Sequence, residues 1–104
     1  MKFITRIPLV DNDGNAFPET EIQSILRELA YQFGGASSEG PHRGLWVHEG
    51  RLYDEPNIKV EIVGESSQAG EARDAVIAIG RHLGQIKMYF ELIDDDTVEF
   101  LDCQ

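Results

Sequence analysis

The sequence predicts an α+β domain in which two helices cover one face of an antiparallel sheet and a short extra strand follows at the C-terminal end. Three observations lead there. The hydrophobic period switches between 2 and 3.6 in the order strand, helix, strand, strand, helix, strand, and each helical segment carries only one apolar stripe, so each needs a sheet to lie against. A third observation is size: 104 residues are one domain, spanning 1–104, and can bury roughly two-thirds of the unfolded surface.

Residues 2–10 (KFITRIPLV) alternate, with Phe3, Ile7 and Leu9 on one face and Ile4, Arg6, Pro8 and Val10 on the other. Pro8 lacks an amide donor, so the strand is at an edge there or has ended. The turn formers DNDGN at 11–15 follow. Phe17-Pro18-Glu19 opens a helix, with Glu19 and Glu21 at its positive end, while Thr20 and Gln23 offer a capping box that would start it slightly later. Ile22, Ile25, Leu26, Leu29, Ala30 and Phe33 form an unbroken stripe at helical spacing, and Gly34-Gly35 ends the helix through a left-handed cap.

The next stretch, 33–55, is expected as a glycine-punctuated loop through residues 36–43, then a strand over 44–48, a tight connection at Glu49-Gly50-Arg51, and Leu52-Tyr53. Residues 58–63 (IKVEIV) alternate cleanly as a returning antiparallel strand. Ser66 and Ser67 are placed to cap a second helix, with Ala69, Ala72, Ala75 or Val76, Ile79 and Leu83 facing the sheet and Gly84 stopping it. Residues 86–92 (IKMYFEL) form another alternating strand, Asp94 to Asp96 a turn, and 98–101 a last edge strand. This order is the split βαβ arrangement of ferredoxin-like domains. It leaves one sheet face open, carrying Ile4, Arg6, Trp46, His48, Lys59, Glu61, Lys87 and Tyr89. A one-residue slip in the 44–53 register would exchange Trp46 and His48 for Leu45 and Val47.

Composition narrows the partners. Nine Lys and Arg against nineteen Asp and Glu give a net charge of −10, which opposes nucleic acid and anionic membranes because both are bound by neutralising phosphate with cations. No stretch reaches the ~18 to 20 apolar residues that span a bilayer. The N-terminal run is interrupted by Thr5, Arg6 and Pro8, which argues against a signal peptide, and Cys103 is the single cysteine, so no intramolecular disulfide forms. A cytoplasmic location is expected.

The chemically suggestive motifs have mundane competitors. Asp11, Asp13 and Asn15 share the first spacings of a calcium loop, but Ala16 and Ile22 stand where it needs glycine and glutamate, so a solvated turn is expected. Asp94, Asp95, Asp96 and Glu99 serve as well to blunt an edge strand as to gather a cation. His42, His48 and His82 lack zinc-site spacing, so neither metal nor cofactor is expected. Ser37 and Ser38 precede His42 without a nucleophile elbow. The concentration of His42, Arg43, His48 and Arg51 against Glu49 alone, in an acidic chain, marks an anion-binding candidate to which Tyr53 is added.

Phe33-Gly34-Gly35, Gly44, Trp46, Gly50, Leu52-Tyr53 and Glu55, followed by the alternating 58–63 strand, resemble a group of small uncharacterised bacterial proteins; the opening IPLVDNDG and FPE extend the likeness over most of the chain. The resemblance implies a ferredoxin-like α+β domain and no particular activity. Three functions are therefore expected. One is a non-enzymatic interaction domain, homodimeric through the open face, with Trp46 and Tyr89 in the contact. Another is a small enzyme or sensor binding an anionic molecule near 34–55, with His42 or His48 as base and Arg43 or Arg51 holding charge. An acidic accessory subunit of a basic protein is a third.

Overall fold

A computed structural model describes residues 1–94. Strands β1 (Lys2–Pro8), β2 (Ser37–His48), β3 (Arg51–Val63) and β4 (Phe90–Ile93) form one antiparallel sheet in the order β2-β3-β1-β4. Helices α1 (Glu19–Phe33) and α2 (Ala69–His82) cross one face. They run antiparallel, with Gln32 Nε2 donating to Glu71 Oε1 at one end (3.0 Å) and His82 Nε2 lying 2.7 Å from Glu21 Oε1 at the other.

The core follows from the register. Phe3 pairs with Ile62, Thr5 with Val60 and Ile7 with Ile58, so these side chains share the helix-covered face, where Ile22, Ile25, Leu29 and Phe33 of α1 and Ala72 of α2 meet them. The α1 stripe is buried as its spacing requires, and Gly34 closes the helix with φ 90° and its amide bonded to Ala30 O. Pro18 occupies the cap position and the helix starts at Glu19, so the Thr20–Gln23 capping box is not used. β1 ends at Pro8, the point at which the missing amide stops the ladder.

Four expectations change. Residues 37–43 are strand, not loop: β2 is an edge strand whose side chains from Ser37 to Arg43 are all exposed, and such a strand needs no apolar alternation to betray it. Its register on β3 shifts between Glu39 and His42, at the cis Gly40-Pro41 bond. β3 is one continuous strand from Arg51, joined to β2 by a two-residue turn in which Glu49 (φ 51°) and Gly50 (φ 76°) both take positive φ. Pro56 is tolerated within it because β1 has ended beside Asn57, and Pro56 O instead accepts from Leu9 N (2.9 Å).

At α2, the helix is preceded by a 3₁₀ turn over Ser66–Gln68; Glu65 caps that turn, its amide donating to Gln68 Oε1 (2.9 Å), and Gln68 stands at the cap position of the helix, so neither Ser66 nor Ser67 does. Finally, 86–89 lie outside the sheet and β4 begins only at Phe90. Gln85 N bonds Gly80 O, and Met88 packs where a side chain on Gly80 would sit, which draws this segment toward α2 and away from the end of β1. The acidic turn and last strand expected at 94–101 lie outside the described residues.

Candidate functional site

The register puts Arg6, His42, Gly44, Trp46, His48, Arg51, Tyr53, Glu55 and Asn57 on the open face. Ile4 also lies there and is nevertheless buried, between Glu61 and Glu91 of the flanking strands. Because β2 and β3 continue past the end of β1 while the 85–89 segment turns aside, a recess of about 640 Å³ opens between them. That size suits a small-molecule ligand. Arg6 and Pro8 of β1, the His42–Trp46 stretch of β2, Glu55 and Asn57 of β3, and Gln85, Lys87, Met88 and Tyr89 line it.

Several of the lining groups are positioned by neighbours. The Arg6 guanidinium sits 5.5 Å over the Tyr89 ring and its Nη1 donates to Asn57 Oδ1 (3.4 Å). Thr5 Oγ1 donates to Tyr89 O (2.7 Å) and the Tyr89 hydroxyl donates to Glu91 Oε2 (2.5 Å), a bond that raises the phenol above its ordinary value. Trp46 stacks on Tyr53 at 4.5 Å, while its Nε1 donates to Glu55 Oε1 (3.2 Å). Arg43 grips Asp54 with two bonds, Nε to Oδ1 (2.8 Å) and Nη2 to Oδ2 (2.6 Å). That bond pushes the Asp54 carboxyl below the usual carboxylate range and the guanidinium up. Among the described residues neither Arg6 nor Lys87 forms an ion pair. Three basic side chains, Arg6, His42 and Lys87, thus border the recess against one acid, Glu55, while Arg43 lines it through its place in β2 and turns its guanidinium to Asp54 on the reverse face.

The anion-binding set expected from the sequence divides. His42 and Arg43 line the recess, as do Trp46 and Tyr89, the pair expected at an interface. His48, Arg51 and Tyr53 stand further out on the hairpin: Arg51 lies 4.7 Å over the Tyr53 ring and donates to Asn12 O (3.1 Å), and His48 Nε2 is 3.7 Å from Glu49 Oε1. His42 Nε2 lies 3.4 Å from Glu39 Oε1, and Ser37 and Ser38 pair with Glu61 and Val60 across the register shift from it. Sequence reasoning placed Arg6 and Lys87 on the open face without assigning them to a site, and it passed over Asn57. The shared parity of Arg6, Lys87 and Tyr89 was the available signal.

Elsewhere, the Asp11 carboxylate accepts from the amides of Asn15 (2.8 Å) and Asp13 (2.9 Å), which hold its pKa down and close a turn. Among the described residues there is no group of three or more His, Cys, Asp and Glu placed to hold a metal ion, and no helix is long and apolar enough to cross a membrane.

No family model matches the chain, and no curated relative does. Solved structures match over nearly all of it. The divalent ion tolerance protein CutA1 from Ehrlichia chaffeensis is similar with a TM-score of 0.68 and 12% identity, over 94% of this chain and 82% of that one. A phage SAM lyase in complex with S-methyl-5'-thioadenosine gives 0.65 and 12%, over 94% and 92%. The PII-like protein CutA from Nostoc sp. PCC 7120 in apo form gives 0.54 and 14%, over 91% and 80%. At these identities the likeness is one of fold: a ferredoxin-like α+β sandwich of the kind seen in CutA1 and PII-like proteins.

Proposed function

We propose that the protein is a small binding domain of sensor type whose ligand is an anionic small molecule seated in the open-face recess. The observation that carries this reading is the gathering of Arg6, Lys87 and His42 around one concavity in a chain of net charge −10. Two cations, Arg6 and Lys87, kept together in an acidic protein without ion pairs among the described residues, favour a ligand that supplies the missing charge. The aromatic side chains Trp46 and Tyr89 beside them suit a ligand that also carries a ring. The fold neighbours support it in kind: one is described as PII-like, and another holds a nucleoside derivative. Cytoplasmic residence belongs to the same proposal.

Trp46 is the single tryptophan and lines the recess, so its emission reports occupancy. Titration with inorganic phosphate, AMP, ATP and benzoate at low ionic strength should give a saturable change with at least one of them. Lys87→Ala should weaken that binding about tenfold or more, the size of a charge-assisted hydrogen bond. Absence of any saturable change refutes the reading.

A second reading, self-association as a homodimer, is favoured by a separate observation. Leu45, Val47 and Leu52 are 60%, 66% and 61% exposed, close together on the reverse face of the hairpin, where no element of this chain covers them among the described residues. In this reading Trp46 and Tyr89 contribute from the open face. Sedimentation equilibrium tests it, and a monomer at the highest soluble concentration refutes it.

A further inference from the structure

We infer that Asn57 sets the specificity of the recess, donating from its carboxamide to a hydrogen-bond acceptor on the ligand's ring or carbonyl while Arg6 and Lys87 hold the anionic group. The inference rests on the recess being an anion site, and it adds which anions the site prefers. Asn57 is the one polar side chain among those lining the recess that is itself buried, at 8% exposure.

Its orientation is fixed by chemistry. A guanidinium can only donate, so the carboxamide oxygen must be the atom that faces Arg6 Nη1 (3.4 Å), and the amide nitrogen must point the other way. That nitrogen lies over Gly44, where a Cβ would stand 2.7 Å from it. Gly44 does not have a positive φ, so the space it leaves, and not its backbone freedom, is what the carboxamide uses. Among the described residues no protein acceptor takes the Asn57 Nδ2 hydrogens. The residue is buried but its amide nitrogen is not sealed off, so the free donor opens on the recess, where solvent or a ligand can accept from it.

The two ends of the site then ask for different things. Arg6, with one of its five donors on Asn57, retains others for a carboxylate or phosphate, and Lys87 adds a second cation. The Asn57 amide asks for a neutral acceptor such as a ring nitrogen or a carbonyl oxygen. The ligand class that meets both is an anionic heterocycle or ketone-bearing aromatic, whether its charge is a carboxylate or a phosphate.

The test is calorimetric titration of the wild-type protein with benzoate and with the three pyridinecarboxylates, which share its shape and charge but add a ring nitrogen at each possible position. AMP and ribose 5-phosphate form the phosphate arm. The expected result is that at least one pyridinecarboxylate binds about tenfold more tightly than benzoate, the worth of one hydrogen bond. Asn57→Leu should collapse that preference to within about twofold, whatever the loss of its bond to Arg6 does to the affinity for benzoate itself. Gly44→Ala should do the same by displacing the carboxamide, and it decides the matter with the wild-type ratio if Asn57→Leu fails to fold. Equal binding of benzoate and all three isomers overturns the inference and leaves the anion site standing. Failure of every carboxylate and phosphate to bind overturns the anion site, and the inference with it.

Discussion

Replacing Gly64 with alanine should destabilise the protein, and replacing Gly70 should stabilise it, although both exchange a hydrogen for a methyl group. A Cβ on Gly64 would stand 2.6 Å from Phe3 Cε2 and 2.9 Å from Gln68 Oε1. Neither neighbour has room to retreat. Phe3 is 2% exposed and tilted against Phe33 at 6.0 Å, and Gln68 Oε1 accepts the Glu65 amide that caps the turn before α2. Forcing a methyl into such packing costs ~1 to 3 kcal/mol, and the stiffer unfolded chain returns only ~0.4 to 1 kcal/mol. The net loss of about 1 to 2 kcal/mol corresponds to a fall in Tm of roughly 5 to 10 °C for a domain of this size.

Gly70 lies exposed in the first turn of α2, with nothing within 4 Å of a Cβ, so only helix propensity acts and alanine should gain ~0.5 to 1 kcal/mol. Urea denaturation of both variants, with unchanged m values, measures the difference. A Gly64→Ala protein as stable as wild type would refute the packing described around Phe3.

Other outcomes follow from the same geometry. The Asp54 carboxyl is held below its ordinary value by Arg43, so its contribution to stability is present above the usual carboxylate range and is lost as pH falls through the lowered value. In Arg43→Ala, stability should therefore depend less steeply on pH below about pH 4 than in wild type, as read from urea midpoints. Asp11→Asn should flatten the same acid limb, because amides of Asn15 and Asp13 lower that carboxyl. Val47→Asp should leave the unfolding midpoint nearly unchanged, within about 0.5 kcal/mol, since the side chain is 66% exposed; it should also lower any self-association seen by sedimentation.

The parts of the fold legible in the sequence were those whose burial imposes a period. The stripe from Ile22 to Phe33 could only be a helix laid on a core, and Val60 and Ile62 could only face inward on a strand. β2 carried no such imprint, because an edge strand exposed on both faces accepts serines, glutamate and glycine without penalty, and its first half looked like a loop.

The recess was half legible for a related reason. His42 and Arg43 announced themselves by charge, but the cavity exists because residues 85–89 leave the sheet, and they leave it because Gly80 admits Met88. A glycine within a helix does not advertise what will pack upon it. Asn57 was invisible in another way: its role depends on meeting Arg6 across the β1–β3 pair and Gly44 across the β2–β3 pair, a coincidence of registers set by the shift near Gly40.

Thermal unfolding of wild type and Arg6→Ala, side by side at low ionic strength against phosphate, nucleotides and aromatic carboxylates, tests the anion site most directly. A ligand at 100 times its Kd should stabilise the wild type by about 2.7 kcal/mol, a rise of roughly 10 °C or more, and Arg6→Ala should show little of it. No shift in wild type with any of these anions, or an equal shift in Arg6→Ala, would contradict the site.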